Sequence, residues 1–466
     1  MHKIRFHSGR AAMMIAAVVC VVFLFMNNLI LASGLFADSD SDVGTERSEV
    51  EKEEVRKITI EGSFVDRDGE AITMAQTPGV PGTILFDESY SYLIGYNCRM
   101  YGTSGLRSRL YDRLFYGGED GVGATVSLTT DNGLQEFCYK ILGESEGSVI
   151  VMRADGALLA CTSRSSAELG YNANLVCDDE RNRYPEYAGC DAFFLNRATM
   201  SADPPGSTFK IVTAAALLEN GLGSFTIDDD TGFIEIDGAV IHNYGDIPAG
   251  EDVDLEEALN NSVNVYFSAA VQQLKAYNLQ ITADKFLLDK PVELDFTTLK
   301  SNFDLDSMSD NVLLARTAFG QGRTTMPPLQ IAMIMNAVLN DGRMMKPYLV
   351  DHITDDSKVT EQTQAAVLSE TMSASTADEL RTYLRSTAEG YGYLEENYGV
   401  VYAKTGTADQ ANGRNHAYML LGVEDTPVGD CVILIDRRNI TQTSGSLKKD
   451  AESILNYLLS MEDSGA

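Results

Sequence analysis

The sequence predicts an α+β fold, because a mainly helical middle lies between strand-like segments near the two ends of the folded part. The segment GSVIVMRADGALLACTS places two apolar runs around Ala154, Asp155 and Gly156, which is typical of a β-hairpin. Near the C-terminus, HAYMLLGVE and CVILIDRR form two more strand-like runs, preceded by GVVYAKTGTAD. Helical patterns dominate from residue 207 to about residue 390, and SLKKDAESILNYLLSMED closes the chain as an amphipathic helix. We therefore expect one sheet that joins distant parts of the chain, layered against helices.

The composition is that of a globular protein with a large excess of acidic residues. Of the 466 residues, 44% are hydrophobic and 22% are charged, which is enough apolar material for two domains or for one large domain with an appendage. The formal net charge of −32 argues against a nucleic-acid-binding protein, which needs a basic face. The acidity by itself identifies no partner and is sufficiently explained by solubility.

The N-terminal region is apolar for long enough to cross a bilayer. Residues 11–36 form this run, with basic residues before it and acidic residues after it. The positive-inside rule then places residues 1–10 in the cytoplasm and the rest of the chain outside. A cleaved signal peptide is the alternative, but the run is longer than a typical signal core, so we expect a retained anchor. Residues 37–56 are polar and charged and are interpreted as a juxtamembrane linker.

The cysteines and histidines predict no metal site or cofactor. There are seven cysteines, and no CxxC, HExxH or clustered histidine spacing is present. Cys138 and Cys431 lie in apolar patterns and are expected in the core. Cys177 and Cys190 flank a polar loop and are the pair that we expect to form a disulfide.

The first candidate for catalysis is the pair Ser207 and Lys210 in PPGSTFK. At the start of a helix, a lysine has the wrong sign for the helix dipole, but residues three apart share a face and can interact. A serine hydroxyl becomes a nucleophile when a neighbouring base removes its proton, and a lysine can be that base once burial or another cation lowers its pKa. The Ser-x-x-Lys spacing alone is weak evidence, since Ser446 and Lys449 match it too. The first pair differs in its setting, a Pro-Pro-Gly turn followed by an apolar helix of small residues.

The second candidate is Ser262 and Asn264 in LEEALNNSVNVYFSAAV. The flanking apolar segments would bury this polar pair and force each side chain to find partners. A structural role for a buried serine and asparagine is the alternative. Ser309 and Asn311 match the same spacing, but they follow a polar loop, where a helix cap is expected.

The third candidate is the segment AKTGTAD, at the end of the strand-like GVVYA. It places Lys404, Thr405 and Thr407 along one rim of a strand, and Gly406 allows another backbone or a ligand to approach closely. A plain transition from strand to turn is the alternative for an isolated match.

Taken together and in this order, the three motifs resemble those of the penicillin-binding transpeptidase and serine β-lactamase superfamily. FLNRATMSADPPGSTFKIVTAAALLENG, HNYGD, DLEEALNNSVNVYF and AFGQGRTTMPPLQIAMIMNAVLNDGRMMKP also look like family segments. The resemblance covers about residues 57–460. Within the superfamily, the chain is similar to the monofunctional class B penicillin-binding proteins. The resemblance implies a β-lactamase/transpeptidase-like domain at residues 146–466, with an antiparallel sheet flanked by helices. It also implies a small, reduced N-terminal pedestal domain at residues 57–145. A departure from the family opening Arg-Gly-x-Ile is EGSFVDRDG, which carries Glu61 and Phe64.

The resemblance assigns the catalytic roles as follows. Ser207 would attack the penultimate D-Ala carbonyl of a peptidoglycan stem peptide and form an acyl-enzyme. Lys210 would accept the serine proton, with its pKa lowered by burial and by Lys404. Ser262 would relay a proton to the leaving amine, and Asn264 would hold the substrate amide.

The resemblance also assigns the substrate-binding groups. Lys404, Thr405 and Thr407 would bind the terminal carboxylate, and Gly406 would keep the strand edge open. The backbone N–H groups of Ser207 and Thr407 would form the oxyanion hole.

The implied function is that of a single-pass, membrane-anchored serine D,D-transpeptidase whose catalytic domain is extracytoplasmic. Its expected partners are peptidoglycan stem peptides, β-lactam antibiotics and cell-wall synthesis or division proteins, for example a membrane glycosyltransferase. A D,D-carboxypeptidase, a β-lactamase and a non-catalytic or sensor penicillin-binding protein are the alternatives.

Overall fold

The computed structural model describes residues 58–98, 101–116, 121–165, 171–176, 194–296, 298–305, 310–409 and 413–461. These residues belong to one compact unit, Glu53–Ala466. The expected anchor, the expected linker, the Cys177–Cys190 pair and Ser309 lie outside the described residues. Within the described ranges, no helix combines the length and the apolar character that a membrane crossing requires.

A five-stranded antiparallel sheet lies at the centre of the fold. Its strands are β1 (Gly147–Arg153), β2 (Leu158–Arg164), β3 (Val401–Asp409), β4 (Asn415–Val423) and β5 (Cys431–Ile440). The order β3-β4-β5-β1-β2 brings the N-terminal hairpin beside the three C-terminal strands. The prediction of one sheet built from distant parts of the chain is confirmed. Strand β3 is an edge strand, because it pairs only with β4.

The two faces of this sheet are covered by different hydrophobic clusters. Alternate residues of a strand point to opposite faces, so Ile150 and Val151 belong to separate cores. One core contains residues of the helices Asn132–Leu142 and Lys448–Ser460. The other contains residues of Lys210–Glu219 and of the nearly all-buried helix Pro328–Leu339. Burial on both faces explains why the strand sequences are continuous apolar runs.

The remaining elements range from strands of two residues to the 17-residue helix Ala374–Gly390. The other helices are Asp87–Ile94, Gly105–Arg109, Tyr111–Phe115, Arg197–Met200, Leu255–Asn260, Asn264–Leu274, Ala276–Lys285, Asn311–Ala318, Ala374–Gly390 and Glu395–Tyr398. The 3-10 turns are Ala173–Leu175, Gly206–Phe209, Tyr244–Asp246 and Ser444–Leu447. The other strands are Phe64–Val65, Thr73–Met74, Thr83–Ile84, Asn97–Cys98, Gly102–Thr103, Thr125–Leu128, Ile227–Asp229, Phe233–Ile236, Ala239–His242, Gly250–Val253, Arg343–Met345, Val350–Asp355, Lys358–Gln362 and Val367–Glu370.

Strands therefore interrupt the middle of the chain, which the periodicity predicts as mainly helical. The hairpin of Phe233–Ile236 and Ala239–His242 turns at Asp237 and Gly238, both of which have positive φ. An Asp-Gly turn of this kind matches the twist of the two strands that it joins. This hairpin matters for function because His242 lines the site described below.

The N-terminal part of the described chain shares a sheet with a later segment. Strands Phe64–Val65 and Thr125–Leu128 join Val350–Asp355 and Lys358–Gln362 in one four-stranded sheet. Glu61, which departs from the family opening, is buried and accepts a 2.7 Å hydrogen bond from Arg107 Nε. The ion pair compensates the burial of both charges. The domain boundary near residue 145 stays a prediction.

The described cysteines fit the expectation for the core. Cys138 and Cys431 are free and buried, as the apolar pattern predicts. Cys98 is disulfide-bonded. The Cys177–Cys190 pairing stays a prediction.

Candidate active site

Ser207 lies in the short 3-10 turn Gly206–Phe209, which leads directly into the helix Lys210–Glu219. The N-cap of that helix is Phe209, and no side chain caps it. The Ser207 hydroxyl is therefore not used as a cap, and its Oγ lies 3.0 Å from Lys210 Nζ. The turn presents the hydroxyl to the lysine of the next turn.

Two glycines hold this turn in place. Gly206 has a φ of +55°, and its N–H donates to the Gly320 carbonyl at 3.0 Å. Gly320 has a φ of +79°, and a Cβ on it would lie 1.9 Å from the Gly206 carbonyl oxygen. Only glycine allows this approach. Gly320 belongs to the segment AFGQG, which the sequence offered only as a family-like segment without a role.

Lys210 is fully buried and surrounded by oxygen atoms. Besides Ser207 Oγ, its Nζ lies 2.7 Å from the Ser262 carbonyl, 3.0 Å from Ser262 Oγ and 2.8 Å from Asn264 Oδ1. A neutral amine has two hydrogens and one lone pair. The carbonyl and the amide oxygen can only accept, so they take the two hydrogens. The lone pair then remains for a hydroxyl proton, which is the arrangement that a general base requires.

The surroundings of Lys210 favour this neutral form. Burial lowers the pKa of Lys210 well below its usual value, and the charge of Lys404 lowers it further. The rings of Phe267 and Phe319, with centroids 5.5 and 6.0 Å from Nζ, form part of the enclosure. Desolvation is the larger of the two causes.

Ser262 adopts a left-handed backbone conformation, with a φ of +56°. This conformation is rare for a residue with a Cβ and is often found at functional sites. Here it allows the carbonyl and the hydroxyl of the same residue to contact Lys210. Lys404 Nζ also donates to Ser262 Oγ at 3.2 Å, so the serine hydroxyl links the two lysines.

Asn264 is the first residue of the helix Asn264–Leu274. Its Oδ1 accepts from Lys210, and its Nδ2 donates to the His242 carbonyl at 2.9 Å. The amide nitrogen has a second hydrogen, which no described residue accepts. Asn264 thus orients the lysine and retains a donor for a ligand.

The Lys-Thr-Gly-Thr segment lies on the edge strand β3. Gly406 faces the nucleophile turn, since a Cβ on it would lie 2.8 Å from the Pro205 carbonyl oxygen. Thr405 Oγ1 is 3.0 Å from Tyr391 OH, and Thr407 Oγ1 is 3.1 Å from Ser444 Oγ. The strand edge is therefore held against the turn that carries Ser207.

A cleft of about 780 Å³ opens over these groups. Of the sequence-predicted residues, Ser207, Ser262, Asn264, Thr405 and Thr407 line it, whereas Lys210 and Lys404 are fully buried. Several other side chains of its wall belong to none of the three motifs. These are His242, Tyr244, Arg316, Gln321, Thr443 and Ser444.

The rival motif matches lie elsewhere. Ser446 is exposed and donates to the Thr443 carbonyl, and Lys449 is exposed on the C-terminal helix. Asp310 caps the helix Asn311–Ala318 by accepting from the Leu313 N–H, which agrees with the capping interpretation of that segment.

Among the described residues, no group of three or more His, Cys, Asp or Glu side chains could hold a metal ion.

A buried ionic cluster connects the nucleophile segment to the central sheet. Asp203, four residues before Ser207, pairs with Arg438 on β5 and lies 3.3 Å from His416 Nε2 on β4. Asp436 is buried nearby, and neither of its carboxyl oxygens has a hydrogen-bond partner. Burial raises the pKa of Asp436 to about 7, which the charge of Arg438 only partly opposes. No sequence motif indicated this cluster, because its members are far apart in the chain.

Comparison with known proteins identifies the family. Residues 147–452 match the family described as penicillin binding protein transpeptidase domain. A peptidoglycan D,D-transpeptidase, PbpA of Mycolicibacterium smegmatis, is 27% identical over 416 residues, which cover 77% of this chain and 80% of that protein.

Solved structures show the same fold. The D,D-transpeptidase domain of a peptidoglycan glycosyltransferase from Eggerthella lenta has a TM-score of 0.75 and 26% identity, covering 86% of this chain and 98% of that one. A penicillin G acyl-enzyme complex of penicillin-binding protein A from M. tuberculosis has a TM-score of 0.76 and 22% identity, covering 86% and 99%. The predicted α+β transpeptidase/β-lactamase-like fold is confirmed. The chain therefore belongs to the penicillin-binding protein transpeptidase family and is a serine-type transpeptidase.

Proposed function

We propose that the chain is a membrane-anchored D,D-transpeptidase that cross-links peptidoglycan stem peptides through an acyl-enzyme on Ser207. The observation that carries the proposal is the contact between Ser207 Oγ and the Nζ of the buried Lys210, at 3.0 Å. A buried lysine whose lone pair can accept the serine proton is the general base that acylation needs.

Acylation begins when Ser207 Oγ attacks the carbonyl carbon of the penultimate D-Ala. Its proton passes to Lys210, and the carbonyl oxygen gains negative charge. The backbone N–H groups of Ser207 and Thr407 stabilise this oxyanion, an effect that is often worth about 3 kcal/mol. The packing of Gly206 against Thr407 supports the assignment, since it brings the two backbones together.

Collapse of the tetrahedral intermediate breaks the peptide bond to the terminal D-Ala. The leaving amine takes a proton through Ser262 Oγ, whose contacts with Lys210 and Lys404 support a relay role. Asn264 uses its second amide hydrogen to hold a substrate carbonyl. Ser207 is then an ester of the shortened peptide.

The terminal carboxylate of the donor binds at the edge of β3. Thr405 and Thr407 line the cleft there, and the buried Lys404 supplies a positive charge beneath them. Gly406 keeps this edge free of a side chain. A β-lactam presents its carboxylate and its strained amide to the same groups and acylates Ser207.

An amine from a neighbouring stem peptide then attacks the ester carbonyl, which releases Ser207 and forms the cross-link. The apolar run at residues 11–36 and the basic residues before it support a single-pass anchor in the cell membrane, with the catalytic part extracytoplasmic. Cell-wall synthesis or division proteins, such as a membrane glycosyltransferase, are the proposed partners. No sequence feature of the chain indicates binding to nucleic acid.

Product analysis tests the proposal. The full chain is incubated with a pentapeptide donor and an amine acceptor, and the products are separated by mass. A cross-linked dimer together with free D-Ala is the expected result, and Ser207→Ala should form neither. Free D-Ala without any dimer would instead establish a D,D-carboxypeptidase, in which water replaces the acceptor.

A further inference from the structure

The residues that line the cleft over Ser207 differ in charge from the rest of this acidic protein. The chain has 68 acidic and 36 basic residues, yet no aspartate or glutamate is among the described residues that line the cleft. Arg316 is the exposed cationic side chain of its lining, and the buried Lys404 lies near it, whereas His242 is paired with Asp246 at 2.8 Å. A cleft lined by one sign of charge attracts ligands of the opposite sign. The site is therefore suited to an anionic substrate.

Arg316 is the exposed guanidinium in this wall. It makes no hydrogen bond or ion pair with any residue that the structure describes, so all of its donors are available. By contrast, many other arginines of the described chain form ion pairs with carboxylates. These are Arg107, Arg113, Arg153, Arg197, Arg323, Arg381, Arg385, Arg437 and Arg438. An unpaired arginine in so acidic a chain is a candidate for binding a ligand.

A short series of backbone contacts fixes Arg316 relative to the nucleophile. The Arg316 carbonyl accepts from the Gln321 N–H at 3.0 Å. Gln321 follows Gly320, whose carbonyl accepts from the N–H of Gly206, beside Ser207. Arg316 lies on the helix Asn311–Ala318, whereas Thr405 and Thr407 lie on the strand β3. Arg316 on this helix and the buried Lys404 on β3 are thus two cationic groups on different elements.

We infer that Arg316 binds a second carboxylate of the donor peptide, on a residue that precedes the penultimate D-Ala. The inference rests on the proposed function, in which Lys404 and the threonines of β3 take the terminal carboxylate. A guanidinium can bind a carboxylate with two parallel hydrogen bonds, which an ammonium cannot do. Arg316 would therefore select donors by the position of this second carboxylate.

Two groups of a stem peptide carry such a carboxylate. One is the side chain of a diaminopimelate at the third position, and the other is the α-carboxylate of a γ-linked D-glutamate at the second position. Four pentapeptide donors distinguish the two: the third residue is diaminopimelate or lysine, and the second is glutamate or its amide. Each pair differs in one charged group only.

The experiment measures the second-order rate of D-Ala release from each donor by the full chain. We expect the wild type to prefer one carboxylate-bearing donor by about fivefold to tenfold, the scale of a partly exposed charged pair. Arg316→Ala and Arg316→Gln should remove the preference, and Arg316→Lys should restore part of it. Arg343→Ala is the matched control, since Arg343 is exposed and does not line the cleft, and it should keep the preference.

Benzylpenicillin labelling shows separately whether Ser207 is reactive in each variant. A wild type that releases D-Ala at equal rates from all four donors would overturn the inference, and so would a preference that persists in Arg316→Ala and Arg316→Gln. In both cases the proposed function would stand. A wild type that neither reacts with benzylpenicillin nor releases D-Ala would contradict the proposed function instead.

Discussion

Removal of the Lys404 charge should move the pH dependence of acylation to higher pH. Lys404 and Lys210 both contact Ser262 Oγ, so their two side-chain nitrogens lie close together. In Lys404→Met, Lys210 remains buried but loses this neighbouring cation, and its pKa rises towards the ordinary lysine value. In the proposed mechanism only neutral Lys210 accepts the Ser207 proton, so the rising limb of the rate against pH should shift upward.

The contact distances set the size of this effect. The two nitrogens lie 3.0 and 3.2 Å from one oxygen, so they are separated by about 6 Å at most. Two unit charges at that separation repel each other by about 3 kcal/mol at an effective dielectric constant of about 20. The ratio of neutral to charged Lys210 should therefore fall when the charge is removed, and acylation near neutral pH should slow with it.

The assay is the second-order rate of acylation by a fluorescent penicillin, measured from about pH 5 to pH 10. Thr407→Val is the matched control, because it removes a hydroxyl from the same rim and leaves both charges in place. It should lower the rate without moving the limb. The reasoning fails if Lys404→Met has a rising limb at the same pH as the wild type.

Three further changes test other parts of the site. Ser262→Gly should relieve the positive φ and keep or raise the melting temperature, but it should lower D-Ala release at least tenfold; a fully active variant would contradict the relay. Gly320→Ala should abolish penicillin labelling and destabilise the chain, because its Cβ meets the Gly206 carbonyl. Gly390→Ala is the control and should remain labelled, because a Cβ on Gly390 meets no atom within 4 Å. Burial raises the pKa of Asp436 to about 7. The native state therefore retains a proton that the unfolded chain releases above about pH 4. As a result, the contribution of Asp436 to stability falls as the pH rises from about 4 to 7. Asp436→Asn should therefore lose less stability than the wild type between pH 5 and pH 8 in urea unfolding, and an equal loss in both would refute the assignment.

The sequence predicted the parts of the fold and site that depend on local patterns. The hairpin of β1 and β2 and the strands β3, β4 and β5 follow from apolar runs and turn residues. Ser207, Lys210, Ser262 and Lys404 were singled out because their three motifs occur together in the family order, the first two in apolar settings and the third at the end of a strand. The structure joins all four through contacts of 3.2 Å or less.

The features that the sequence did not predict depend on contacts between distant residues. The left-handed φ of Ser262 has no signal in the serine itself. The approach of Gly320 to Gly206 and the pairing of Asp203 with Arg438 join segments that are more than a hundred residues apart. The hairpin at Asp237 is different, because its Asp-Gly turn was present in the sequence and would have indicated it.

The position of the acyl group on the chain decides whether Ser207 is the nucleophile. The full chain is mixed with a pentapeptide donor, quenched in acid within the first turnover and digested, and the acylated peptide is identified by mass. We expect a mass increase equal to the donor minus its terminal D-Ala, on Ser207, and no adduct at neutral pH in Lys210→Met. An adduct on another residue, or D-Ala release that persists in Ser207→Ala, would contradict it.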